Sequence, residues 1–350
     1  MNTYIIAEIG QNHNGDYEIA KQLITMAGQP IYFEGEKLKG CDAVKLTVRD
    51  LEYELTNNLA NKQYNSKHKY ATRYGKHREE LELCPCEIIK LREYAKSIGL
   101  DFILTLCSPT LVDGYAFLCD KIKVASRDLD NIPLLKALNK TRKEIILSTG
   151  MLEGSKDIEI AFEILKNVNV QVLHCVSSYP TKYSDLNFEV LNKYKFVKSI
   201  ADFSIASMGF SDHTTGILAG PVAVAFGATI IEKHITLDRD MKGTDHAGSL
   251  GPEGFFRFIR DIRNTEKMLY KDYAGLCQEV EKNKEKLGRF VAYKYDRNKC
   301  EMIMEQDFIM ISKAQDEVGI KWQEAEKYIG KVLMYNVKKK QLVKGGDFNE

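Results

Sequence analysis

The chain has 350 residues, with 50 Lys+Arg against 49 Asp+Glu for a formal net charge of +1, and 44% of its residues are hydrophobic. That length accommodates one large domain and a small one. The near-neutral balance excludes bulk attraction to nucleic acid or to a membrane surface, while a local basic pocket stays compatible with it.

Tyr4–Glu8 is a short apolar run closed by an acid and followed by the polar loop Gly10-Gln11-Asn12-His13-Asn14-Gly15. Residues 16–27 carry apolar side chains at helical spacing. Ala43–Leu46 reads as a second strand and carries Lys45. Residues 48–83 are polar, aromatic and charged without a clear period, as expected of a functional loop or lid. Ile88–Ile98 is helical, Phe102–Leu104 is a strand ending at Thr105, and Lys121–Val124 is a strand ending in Ala125-Ser126. Glu144–Leu147 leads into Ser148-Thr149-Gly150, and Val170–Leu173 leads into His174 and then Ser177-Ser178-Tyr179-Pro180. Ile205–Phe210 and Thr229–Glu232 complete the set.

Eight short strands separated by helix-length segments predict parallel βαβ units, and the count and size are those of an α/β TIM (β/α)8 barrel. A doubly wound open sheet is the alternative, but no G-x-G-x-x-G follows the first strand. In a barrel all strands open onto one face, which carries the site. Here nearly every strand closes on a polar residue: Glu8, Lys45, Thr105, Ser126, Ser148, Ser177, Ser211 with His213, and Glu232 with His234. Buried lysines need an anionic partner, and Lys45 and Lys123 among hydroxyls suit a phosphate. A snorkelling rim lysine is the bland reading of Lys45.

Residues 209–249 carry the sharpest chemistry. The segments Gly209–His213 and Ile230–His234 each end in histidine, and the small apolar residues between them suit a crossover helix packed tightly on the sheet. Two imidazoles converging above a sheet suit Mn, Fe, Co or Zn, and two hydrogen-bonded structural histidines are the alternative. A third polar cluster, Thr244-Asp245-His246, follows. Phosphate, metal and acid together suggest carbon–carbon bond formation on a phosphorylated substrate. Elsewhere, MNTYIIAEIG shows no signal-peptide pattern, and residues 216–231 are too short and too broken by glycine to read as a membrane span. The eight cysteines, of which only Cys84 and Cys86 are close-spaced, are expected to be reduced thiols in a cytoplasmic protein.

The segments IIAEIGQNHNGD, CDAVKLT, EIILSTGM, LHCVSSYPT, GFSDHT and IIEKHIT…KGTDHAGSLGPEGF resemble, in order and spacing, the sialic acid synthase family. The likeness runs from about residue 3 to 275. Residues 289–350 resemble the small, mostly β antifreeze-like (SAF) domain that ends these synthases, joined by the charged linker Glu279–Gly288. The expected division is therefore a barrel over 1–278, a linker over 279–288 and an SAF domain over 289–350.

The resemblance implies a cytoplasmic enzyme that condenses phosphoenolpyruvate with an N-acetyl-hexosamine aldehyde, giving a nine-carbon 3-deoxy-ulosonic acid and phosphate. It implies a divalent metal on His213 and His234, with Mn2+ first and Mg2+ or Co2+ as alternatives. Lys45, Thr105, Lys123, Ser126, Ser148, Ser177 and Ser211 would hold phosphoenolpyruvate, with Tyr179 beside it. Glu8, Thr47, Asp128, Asp245 and Lys313 would face the sugar, and Glu8, Asp245 and Tyr179 would take part in catalysis. It also implies a domain-swapped homodimer in which the SAF domain covers the partner's barrel mouth.

Three positions depart from the family pattern. Thr47 stands where Gln is usual, Ser177 where Asn is frequent, and Ile311-Ser312-Lys313-Ala314-Gln315 where an Arg-Pro-Gly is common. The first and third bear on the sugar, so a synthase for legionaminic or pseudaminic acid precursors is a rival reading. A non-catalytic binding protein on the same fold is a second rival, which the histidine pair and the two lysines oppose.

Overall fold

The computed structural model describes residues 2–151, 155–192, 205–269 and 278–349. The chain divides into two compact units, 1–270 and 271–350.

In the first unit eight parallel strands close into a barrel. They are β1 (Tyr4–Gly10), β4 (Ala43–Val48), β5 (Asp101–Leu106), β6 (Lys121–Val124), β7 (Glu144–Ser148), β8 (Val170–Cys175), β9 (Ile205–Asp212) and β10 (Ile230–His234), and β1 pairs with both β4 and β10. All eight strands expected from the sequence are present, so the open-sheet alternative falls away. A hairpin not foreseen, β2 (Ile31–Phe33) with β3 (Glu36–Leu38), lies between β1 and β4. Its polar, glycine-containing turn at Glu34-Gly35 takes both residues to positive φ. Residues 48–83 hold three short helices, Leu51–Glu54, Asn57–Asn61 and Tyr74–Glu79. Their apolar content is too low for a period to show.

Side chains alternate across a strand, and this alternation builds the barrel interior in layers. Ile6, Ala43, Ile103, Ile146, Leu173 and Ile230 form one buried apolar cluster inside the barrel. Two residues further along each strand stand Glu8, Lys45, Thr105, Ser148, Cys175 and Glu232, all buried. The chain therefore changes from an apolar plug to a charged and hydroxylated layer within one step of the pleat. The opposite strand faces pack with the surrounding helices into the main core, including Ile5, Phe102, Val172, Phe210 and Phe258.

The second unit has its own core, with Val291, Tyr293, Ile303, Leu333, Val337 and Val343 fully or almost fully buried. Antiparallel strands β11 (Phe290–Tyr293) and β12 (Phe308–Ile311) and several isolated bridges give it a small, mostly β character. The Tyr293 hydroxyl donates to Asp347 Oδ2 at 3.1 Å. The segment expected as a charged linker is largely helical, over Gln278–Leu287.

Gly209, inside β9, has no room for a side chain. A methyl there would stand 2.2 Å from the Ile230 carbonyl oxygen and 2.8 Å from the Leu173 side chain. Because the nearest atom is backbone, Gly209→Ala should destabilise the barrel by about 1–3 kcal/mol or more. Urea unfolding checks this; an unchanged midpoint would contradict the close strand approach.

Candidate active site

The C-terminal strand ends enclose a cavity of about 320 Å³. Its lining includes Glu8, Lys45, Thr47, Thr105, Lys123, Ser126, Ser148, Ser177, Tyr179, Ser211, His213, His234 and Asp245. Every site residue expected on the barrel is thus brought together except Asp128. That carboxylate is buried outside the cavity wall, where Arg127 Nε and Asn131 Nδ2 each donate to it at 3.3 Å. Lys313 belongs to the second unit. Its ammonium donates to the Ala314 carbonyl at 3.1 Å and lies 5.0 Å from the Phe290 ring centroid.

The floor is a buried charge network. Lys45 Nζ lies 2.7 Å from Glu8 Oε2 and 3.6 Å from Glu232 Oε2, and donates to Thr105 Oγ1 at 2.9 Å. Lys123 Nζ donates to Ser148 Oγ at 2.7 Å and sits 4.0 Å from Glu232 Oε1. Ser211 Oγ completes the set by donating to Glu232 Oε1 at 2.8 Å. Burial would push the Glu232 carboxyl up, but Lys123, Lys45 and the Ser211 hydroxyl outweigh it and hold the group down at about 2. Glu8 goes the other way. Its burial, helped by the charge of Glu232, outweighs Lys45 and raises it above the ordinary carboxylate range. Burial lowers Lys123, against the pull of Glu232, while Lys45 is raised because Glu232 and Glu8 overcome its desolvation.

Beside this floor three loop ends meet at Gly150. Gly150 N–H donates to Ser126 Oγ at 3.0 Å. A side chain at Gly150 would collide with Ser177 Oγ at 2.5 Å and Cys175 Sγ at 2.9 Å, so glycine keeps the three loop ends together. Glu232, expected on this face as a strand-end acid, also lines the cavity, as do Arg49, Arg78, Arg127, Cys107 and Cys175, which were not expected there. Strand alternation from Ile230 points to Glu232; the arginines come from loops, where no period applies.

The two histidines stand on adjacent strands with ring centroids 5.9 Å apart. His213 Nδ1 donates to the Val176 carbonyl at 2.9 Å, which leaves its Nε2 as a lone pair facing the Tyr179 hydroxyl at 3.0 Å. Burial, then the neighbouring His234, push His213 down to about 4, so it is a neutral imidazole at physiological pH. His234 Nδ1 is buried without a hydrogen-bond partner among the described residues. A lone pair directed at the cavity and an unpartnered ring nitrogen are of a chemistry that would suit a divalent ion held by His213 and His234. No cluster of three or more metal-binding side chains occurs among the described residues. His246 is structural: it is fully buried between Thr236 Oγ1 at 2.6 Å and Asn14 Oδ1 at 3.2 Å. This contact holds the loop that presents Asp245.

A second ion pair lies behind the histidines. Asp212 and Lys233 are register partners on β9 and β10, both side chains are fully buried, and they meet at 2.9 Å. Lys233 Nζ also donates to the Thr214 carbonyl at 2.6 Å, and Asp212 Oδ1 accepts from the Thr214 N–H and hydroxyl. Each residue immediately precedes a histidine, so the pair locks the two strand ends that carry them.

A family model described as the NeuB family matches residues 34–273. The chain is 34% identical over 294 residues to human N-acetylneuraminate-9-phosphate synthase, covering 83% of this chain and 78% of that one. The chain belongs to the NeuB family. Another relative of this NeuB chain, the N,N'-diacetyllegionaminic acid synthase of Campylobacter jejuni, is 32% identical over 352 residues and spans 98% of this chain and 99% of that one. A crystal structure of N-acetylneuraminic acid synthetase from Leptospira borgpetersenii in complex with citrate superposes with a TM-score of 0.66 at 26% identity, covering 82% of this chain and 92% of that one. No helix among the described residues of this NeuB-family protein is long and apolar enough to cross a membrane.

Removing one member of the Asp212–Lys233 pair leaves a buried charge, at a cost of about 3–5 kcal/mol. Asp212→Ala should lose that amount in urea unfolding, and the double variant Asp212→Asn with Lys233→Met should lose less. Equal losses would show that the pair does not act as a unit.

Proposed function

We propose that this protein condenses phosphoenolpyruvate with the open-chain aldehyde of an amino sugar, giving a sialic-acid-type 3-deoxy-ulosonic acid and releasing phosphate. The observation that carries the reading is the joint presence, at the mouth of a NeuB-family barrel, of Lys45 and Lys123 among strand-end hydroxyls and of His213 beside His234.

Phosphoenolpyruvate takes its place on the floor, where Lys123 and the Ser126, Ser148 and Ser177 hydroxyls supply donors and Ser211 lies beside them. The π electrons of its enol form a bond from C3 to the aldehyde carbon. C2, left electron-poor, is captured by water, and the tetrahedral product expels phosphate by C–O cleavage. Glu232, held as a carboxylate, provides a fixed negative charge near the developing cation. Tyr179 at the largely exposed mouth, Glu8 and Asp245 offer groups for the sugar and for proton transfer as the aldehyde oxygen becomes a hydroxyl. A divalent ion on His213 and His234, manganese first and magnesium or cobalt as alternatives, supplies Lewis-acid polarisation of that oxygen when bound. Otherwise the protein's task is to orient two substrates and neutralise charge.

N-acetylmannosamine or a related hexosamine is the acceptor class. A diacetamido hexose is the second reading, supported by the near full-length match to a legionaminic acid synthase. The family resemblance also carries the proposals of a cytoplasmic homodimer, of an SAF identity for the second unit and of a sugar contact for Lys313, which forms no ion pair among the described residues.

His213→Ala and His234→Ala should each abolish manganese binding in calorimetry and phosphate release from phosphoenolpyruvate, with the far-ultraviolet spectrum unchanged. Turnover with manganese still bound by the double variant would overturn the metal assignment. Lys123→Ala should weaken phosphoenolpyruvate binding by about 1.5–3 kcal/mol, the scale of a charge-assisted hydrogen bond. Unchanged affinity would place the anion elsewhere.

A further inference from the structure

The long excursion between β4 and β5 starts from β4, and in the barrel β1 stands between β4 and β10. The excursion nonetheless reaches the loop after β10. Near its end it lies against the loop after β1: a side chain at Gly15 would stand 2.2 Å from the Glu80 carbonyl oxygen, and Gln11 Nε2 donates to Glu82 Oε1 at 2.7 Å. Its tip goes one strand further. The Tyr70 hydroxyl donates to the Lys242 carbonyl at 2.7 Å, and His68 Nδ1 accepts the Gly243 N–H at 3.2 Å. The Lys242 ammonium lies over the Tyr70 ring, 4.4 Å from its centroid. Among the described residues these two are the hydrogen bonds made by the backbone of residues 242–244.

The tip is built to present both side chains. Gln63 and Arg73 form an antiparallel bridge, and Tyr64 N–H donates to the Thr72 carbonyl at 2.8 Å, so residues 62–74 fold back on themselves. The buried His77 braces Tyr70 from behind. Its Nδ1 accepts the Tyr70 N–H at 3.1 Å, and its ring stacks with those of Tyr64 and Tyr70 at centroid distances of 4.5 and 6.0 Å. A ring already held in this way loses little further rotamer freedom when its hydroxyl meets Lys242.

The segment so gripped delivers Thr244 and Asp245 to the cavity. Its far side has its own anchors, since Ser249 Oγ donates to the Asp245 carbonyl at 2.7 Å and His246 is fully buried. Gly243 joins the two sides tightly: it has a φ of 153°, and a methyl there would stand 2.5 Å from the His246 ring. We propose that Tyr70 and His68 are positioning residues, which clasp residues 242–244 and thereby hold Thr244 and Asp245 at the acceptor side of the cavity. This rests on the condensation proposed above, in which Asp245 serves the sugar. A displacement of about 1 Å at such a group can cost about 100-fold in rate. The phosphoenolpyruvate donors Lys123 and Ser148 stand on β6 and β7, strands that the clasp does not join.

The test uses the full chain with manganese, phosphoenolpyruvate and whichever amino sugar of a panel the wild-type protein turns over fastest. Tyr70→Phe keeps the ring beneath Lys242 and removes the hydroxyl. His68→Ala removes the acceptor, and His68→Asn offers a carbonyl oxygen in its place. Hydrogen exchange read by mass spectrometry should show the amides of residues 240–245 exchanging about tenfold faster in Tyr70→Phe and His68→Ala, with the barrel strands unchanged. In the same variants kcat/KM for the sugar should fall about 5–20-fold while the KM for phosphoenolpyruvate moves less than about twofold, and His68→Asn should recover most of the loss. Unchanged exchange at 240–245 would overturn the proposal. So would equal losses for the two substrates, which would mean that the contact only stabilises the fold. If the wild-type protein turns over no acceptor, the condensation reading fails by itself and exchange alone decides the clasp: faster exchange confined to 240–245 upholds it, and unchanged exchange overturns it.

Discussion

The buried charges at the barrel floor are the constraint to which the rest of the site conforms. Glu8, Lys45, Lys123 and Glu232 sit on four strands, each almost wholly removed from water. Taking such groups out of water costs several kcal/mol apiece, and mutual attraction repays it only with close geometry and satisfied hydrogen bonds. Thr105, Ser148 and Ser211 supply hydrogen bonds to the floor, while Glu8 Oε2 and Glu232 Oε2 are buried with only the neighbouring lysine charges to meet. The floor leaves Lys123 with hydroxyl and carbonyl partners and a carboxylate only at 4.0 Å, so an incoming anion has a cation to meet. The layer beneath it, from Ile6 to Ile230, is apolar. That plug keeps water from below and fixes the depth at which the charges act.

The histidine pair depends on the same economy of strand ends. His213 and His234 follow directly on Asp212 and Lys233, whose buried contact sets the relative height of β9 and β10. The Val176 carbonyl chooses the His213 tautomer and so decides which nitrogen faces the cavity. A divalent ion at this pair, as proposed, would depend on the neighbours that orient the two imidazoles. Arg49 and Arg78 from the excursion between β4 and β5, with Arg127 from the turn after β6, add a third element; Glu54 holds Arg49 and Arg127, and the Gln11 amide holds Arg78.

Most of the barrel could be read from the sequence because its strands are short apolar runs ending in a polar residue, and a parallel sheet buried on both faces produces that pattern. Lys45, Ser148, His213 and His234 were legible for the same reason: strand periodicity places them two or four residues above an apolar position. The hairpin at Ile31–Leu38 was not, because three-residue strands carry no usable period. Arg49, Arg78 and Arg127 escaped because loop geometry, and not alternation, delivers them to the cavity. Asp128 shows the converse. Its spacing after Ser126 matches the family, yet the short helical turn over Ser126–Asp128 carries its side chain behind the wall, where Arg127 and Asn131 hold it.

The central claim is that this cavity joins the carbons of phosphoenolpyruvate to those of an amino-sugar aldehyde. Mass analysis of the products, made with phosphoenolpyruvate labelled with carbon-13 at all three carbons and a panel of amino-sugar acceptors in the presence of manganese, tests it most directly. The account predicts one acidic product that retains the three labelled carbons and the whole acceptor, formed in equal amount with free phosphate. Release of labelled pyruvate with the acceptor unchanged would contradict it.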